Sequence, residues 1–178
     1  MTRAASVLSA VFLFIAGIAP GTGRAADGAD KAATALEVAV LDFELVDTSL
    51  EGANLGVDQA ETERLVLISD LLRELLAASG KYSIVDIAPA KAEIVQAGLI
   101  HGCNGCETGI ARSLGADRVM TGTVQKISTL ILGVQITERD VASGGILRIA
   151  VAQIRGNTDQ SWSRGVEWLV RNRLLAGR

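Results

Sequence analysis

The chain has 178 residues, of which 49% are hydrophobic and only 3% aromatic, and a formal charge of −3. That length fits one domain with an aliphatic core, and the apolar content excludes a largely disordered chain. The mild acidic excess argues against a general nucleic-acid binder.

The N-terminus is read first, because a targeting segment must be set aside from the fold. Arg3 precedes an apolar run from Ala4 to Ala19, which Pro20 and Gly21 break. Gly23 and Ala25 stand where a signal peptidase wants small side chains. Residues 1–25 are therefore expected to be a cleaved signal peptide, followed by a tail at 26–35 and one domain at 36–178. The run is short for a span of about 20 residues, so an uncleaved anchor is the lesser alternative. No cysteine adjoins the cleavage site, so no lipid anchor is expected. The product should be exported and soluble, with no stable membrane anchor.

Leu36 to Phe43 is apolar on both parities, as in a strand covered on both faces. Glu44 to Gln59 is polar and glycine-bearing and reads as a long loop. Glu61 to Ala78 is a helix with Leu65, Ile68, Leu72, Leu75 and Leu76 on one face. Lys81 to Asp86 is a short strand, and Ala88 to Ala97 a helix with Pro89 in its first turn. A helix follows Cys106 and closes at Gly115. Arg118 to Ile127 is a strand in which Gly122 marks a bulge or a close backbone approach. Leu130 to Ile136 and Ile146 to Ile154 form a hairpin around Ser143-Gly144-Gly145. Asn157, Thr158 or Asp159 caps a last helix from Gln160 to Leu175, with Trp162, Val166, Leu169, Val170 and Leu174 inward. The order β-α-β-α-α-β-β-β-α implies an α/β (α+β) fold, a mixed sheet of about five strands with helices packed on it.

Three places could carry function. The stretch His101 to Val124 holds both cysteines and the only histidine. Cys103 and Cys106 at a helix N-terminus read first as a structural disulfide. The helix dipole leaves a thiol-redox pair open. A metal held by His101, Cys103 and Cys106, with Glu107, is weaker, because a second distant ligand pair is missing. Asp42 and Asp86, at the C-terminal ends of strands, could bind a small ligand, with Glu44 beside them. The last helix carries Arg164, Arg171 and Arg173 against Glu167, and at 100° per residue Trp168 and Leu175 fall outside. Arg164, Trp168, Arg171 and Leu175 are thus a candidate partner surface, since Arg and Trp tend to anchor interfaces. The loop Glu44–Gln59 is the other. No phosphate-cradling glycine pattern, Gly-x-Ser-x-Gly elbow or histidine–serine pairing is present, so neither catalysis nor a cofactor is expected.

The segments VAVLDF, LLAASGKYSIVD and LGADRVMTGTV together resemble a known group of export-associated domains. They occur at the N-terminus of the periplasmic Tol–Pal protein, in the curli-assembly lipoprotein, and in lipoprotein activators of penicillin-binding proteins. The cysteine motif and RGNTDQSW resemble a narrower, uncharacterised family of exported proteobacterial proteins. The resemblance implies a non-catalytic periplasmic α/β module acting through an unidentified envelope protein.

Overall fold

The computed structural model describes residues 35–176. The expected signal peptide lies outside the described residues. In chain order the elements are β1 (Leu36–Val40), β2 (Glu44–Asp47), α1 (Leu50–Leu55), α2 (Gln59–Ala78), β3 (Tyr82–Val85), α3 (Lys91–Ala97), α4 (Cys106–Ser113), β4 (Arg118–Ser128), β5 (Ile131–Asp140), β6 (Ile146–Arg155) and α5 (Asp159–Leu169). Short 3-10 turns cover Ala88–Ala90 and Ile100–Gly102, and a π-helical turn follows α5 at Val170–Leu174. The fold is the expected mixed α/β arrangement, with six strands rather than about five.

The sheet order is β3-β1-β4-β5-β6. β1 runs parallel to both β3 and β4, while β4, β5 and β6 form an antiparallel meander. The sixth strand is β2, which continues β1 along the same side of β4. Val38–Val40 lie against Arg118–Met120, and Glu44–Asp47 against Thr123–Lys126. Between the two pieces the Phe43 N–H leaves the ladder and donates to the Ser69 hydroxyl of α2 at 2.9 Å. The Phe43 ring then lies over Gly122, where a Cβ would come within 2.3 Å of it. Gly122 is a glycine because that ring occupies the place of its side chain.

The stretch Glu44–Gln59 is therefore not the long loop that its composition suggests. It holds β2 and α1. The four residues of β2 take their hydrogen bonds from β4, far along the chain, which local pattern cannot signal. α1 buries no side chain and is nucleated by its cap, the Ser49 hydroxyl accepting the Gly52 N–H at 3.0 Å.

α2 and α5 cover one face of the sheet. Ile68, Leu72 and Leu76 with Trp162, Val166 and Leu169 pack on Val38, Met120 and Val134. α3 and α4 cover the other face only over its parallel part, where Ile110 and Ala111 meet Ala39, Leu41 and Val119. The same face of β6 is bare: Leu147, Ile149 and Val151 are exposed, while Ala150 and Ile154 point to the core.

A buried charge ties these parts together. Lys126 is 2% exposed and meets Glu61 at 2.6 Å, Glu51 at 3.2 Å and Asp47 at 3.3 Å. Burial by itself pulls an amine's pKa down. Here hydrogen bonds to the three carboxylates overcome it and hold Lys126 above its ordinary value. Burial likewise opposes Asp47, but hydrogen bonds from Ser49 and the Lys126 ammonium leave its carboxyl below the usual range. Glu61, itself 1% exposed, also accepts from the Asn157 amide. The Asn157 carbonyl oxygen accepts from the Trp162 indole N–H at 3.0 Å and from Arg64 at 3.3 Å. One connected set of polar groups so joins β2, α1, α2, β4 and the start of α5.

Removing one partner of such a pair strands the other in a dry site, at about 3–5 kcal/mol. Lys126→Met should lower the unfolding free energy in urea by that order. Lys126→Met combined with Glu61→Leu should lose less than Lys126→Met alone, because the stranded carboxylate is gone.

Candidate functional site

The cysteine stretch is a closed knot rather than an open site. Cys103 and Cys106 are bonded to each other, with Cα atoms 5.6 Å apart, and both are half-buried against the smaller core cluster. Glu107 lies 3.5 Å from the Cys103 sulfur and pairs with Arg139 at 2.7 Å. Ligand atoms of Cys103, Cys106 and Glu107 fall within 4.8 Å of one another, and His101 is not among them. Its ring nitrogen instead meets Glu44 at 2.7 Å. Glu44 also accepts the Ile100 and His101 N–H groups, so it caps that 3-10 turn.

Asp42 and Asp86 do come together, without Glu44. They line a cleft of about 610 Å³ with Arg73, Lys91 and the apolar Ile84, Ile87 and Val95. The connection from β1 to β3 runs through α2 on one face of the sheet, and that from β3 to β4 through α3 and α4 on the other. Neighbouring parallel strands whose connections diverge open a crevice at their carboxyl ends. Arg73 binds Asp42, Asp70 and the Val40 carbonyl, so the Asp42 charge is already matched. Asp86 accepts the Ala88 N–H at 2.9 Å and shapes the turn into α3.

The last helix meets the sheet at its free edge. The Thr158 hydroxyl caps α5 by accepting the Ser161 N–H at 3.2 Å, and Ser161 returns the bond. Gly165 lets the helix close on β6, since a Cβ there would sit 2.7 Å from Ile154. Arg164 and Trp168, one turn apart, flank a groove of about 690 Å³ beside Val151, Gln153 and Arg155. Trp168 is 42% exposed, and Arg173 lies over its ring at 5.4 Å. Arg171 is exposed, but Leu175 is half-buried against the main core. The Leu175 N–H bonds the Val170 carbonyl, five residues back, at 2.8 Å. That wider π turn shifts the helical phase and turns Leu175 inward from the outer face a regular helix would give it. Of the four residues read as a partner surface, the structure brings Arg164 and Trp168 to one groove, leaves Arg171 exposed beyond it, and withdraws Leu175.

Sequence reasoning missed two contributors. The outer edge of β6 is part of this groove, and the exposure of Leu147, Ile149 and Val151 was hidden because alternation does not say which face is covered. Lys126 and Glu61 gave no signal, since a lysine in a strand and a glutamate in a first helical turn usually face water.

A family model described as "Protein of unknown function (DUF2380)" matches residues 36–174. The chain belongs to that family, DUF3280. No curated protein sequence matches it. Among solved structures it is similar to the LpoB C-terminal domain from Salmonella enterica, at 20% identity and a TM-score of 0.50, covering 70% of this chain and 86% of that one. Lipoprotein GNA1162 from Neisseria meningitidis gives 18% and 0.47, over 78% of this chain and 96% of that one. TolB from Acinetobacter baumannii gives 14% and 0.46, over 79% of this chain and 28% of that one. At these identities the likeness to LpoB is one of fold.

The disulfide closes so short a loop that the chain-entropy relation assigns it about 2 kcal/mol. Replacing both Cys103 and Cys106 by Ser should cost that much in a urea titration and leave the far-ultraviolet circular dichroism unchanged.

Proposed function

We propose that this chain is a non-catalytic accessory module of the cell envelope, exported to the periplasm, that works by binding another envelope protein through α5 and the edge of β6. The observation that carries the reading is the exposed Trp168 beside Arg164 at a groove on the sheet edge. Large aromatic and arginine side chains at the centre of a groove are the usual anchors of an interface. The disulfide suits an oxidising compartment, and the signal-like N-terminus agrees with it. The resemblance of VAVLDF, LLAASGKYSIVD and LGADRVMTGTV to export-associated domains supports an envelope setting. No helix among the described residues is long and apolar enough to cross a membrane. A photo-crosslinking side chain at position 160, on the rim of the same groove, should yield one discrete adduct in intact cells, and the same group at position 95 on α3 should not. Trp168→Ala should abolish the adduct at unchanged thermal midpoint. An adduct that survives Trp168→Ala sinks the assignment of this surface.

A second reading rests on the crevice between β1 and β3. A small ligand with an apolar body fits the Ile84, Ile87 and Val95 lining, and its polar end would meet Lys91 and Asp86. A metabolite screen by thermal shift should then find a stabiliser whose effect is lost in Ile87→Asp. A screen without any such compound removes this reading.

A further inference from the structure

β6 is the last strand of the sheet and, among the described residues, pairs only with β5. An outer strand presents a row of unpaired N–H and C=O groups, and proteins usually blunt it with lysine, proline or short length. β6 (ILRIAVAQIR) has ten residues and neither lysine nor proline; of its two charged side chains, Arg148 is held inward by the Arg173 and Leu174 carbonyls, and Arg155 stands at the strand's end. Its outward Leu147, Ile149 and Val151 are exposed on the bare face. On the opposite side α5 comes close at Gly165 and holds Arg164 and Trp168 beside the strand, so the groove follows the edge over Val151–Arg155.

The geometry points to strand addition: we propose that a partner lays an extended, acidic segment alongside Ile146–Arg155 and becomes the next strand of the sheet. This rests on the protein-binding reading above and names its chemistry. The acidity follows from charge. Arg155 and Arg164 line this groove and Arg173 lies over the Trp168 ring beside them, in a chain whose net charge is −3. A second copy paired edge to edge would set those arginines against themselves, which costs free energy. A carboxylate-bearing strand meets them instead. Side chains of an added strand alternate between faces. One set would cover Ile149 and Val151, and the other would meet Arg164 and Trp168. The recognised segment therefore alternates apolar and acidic residues, over roughly ten positions at about 3.3 Å each.

The test uses a ten-residue capped peptide of alternating valine and glutamate, its valine–lysine counterpart, and a version of the first with its glutamates grouped together. Amide hydrogen exchange along the chain and Trp fluorescence are read on the full folded protein. The alternating acidic peptide should slow exchange within residues 146–155 and bind at least about tenfold tighter than the other two, a difference of about 1.4 kcal/mol. Arg164→Glu and Ile149→Lys should each weaken it by a similar factor. Equal binding of the lysine peptide, or protection outside β6, overturns the proposal. Concentration-dependent protection of β6 without peptide overturns it in favour of a second copy. Should the peptide fail while the adduct from position 160 still forms and depends on Trp168, protein binding stands and strand addition falls.

Discussion

An ammonium group in a dry interior is tolerated only when its charge is met on the spot. Lys126 satisfies that condition with carboxylates from three separate elements, β2, α1 and α2. The requirement fixes more than one side chain. Glu61 must turn inward, so the first turn of α2 is held against β4. Its second partner, Asn157, ties in the segment that enters α5, and the Trp162 indole is satisfied through the same amide. Packing alone would let α2 and α5 slide on their aliphatic faces, because leucine and valine contacts are weakly directional. The polar chain running from Asp47 to Trp162 supplies the direction, and it sets how α5 meets β6.

The unequal covering of the sheet follows from its connections. The two parallel crossovers spend their helices on β3, β1 and β4, with α2 on one face and α3 and α4 on the other. The meander turns directly from strand to strand and has only α5 to offer, so one face of β5 and β6 receives none. The unprotected edge, the bare apolar row and the arginine-bearing helix are three results of that one arrangement, and they lie together in space.

The periodic parts of the fold were legible in the sequence. The α2 face of Ile68, Leu72 and Leu76, the buried side of α5 and the stop at Gly115 each follow from local pattern, and each is found. Gly122 announced a close approach, though not that Phe43 makes it. What stayed hidden depends on partners distant in the chain. β2 exists because β4 lies beside it, and Leu175 turns inward because of one π turn that no composition rule foretells. Of the candidate site, the helix side was readable from Arg164 and Trp168. The strand side was not, since the pattern of Leu147, Ile149 and Val151 fits a core face and a bare face equally well.

The way β1 is paired has a consequence for the order in which the molecule can assemble. Its register matches Val38 with Arg118, across a long stretch of chain, whereas β4, β5, β6 and α5 are contiguous in sequence. Closing distant contacts costs loop entropy before they return any stabilisation. The meander and its helix can form from their own stretch of chain, and β1 must wait for both of its neighbours. A chain made from its N-terminus therefore displays its most apolar strand first and its place in the sheet last.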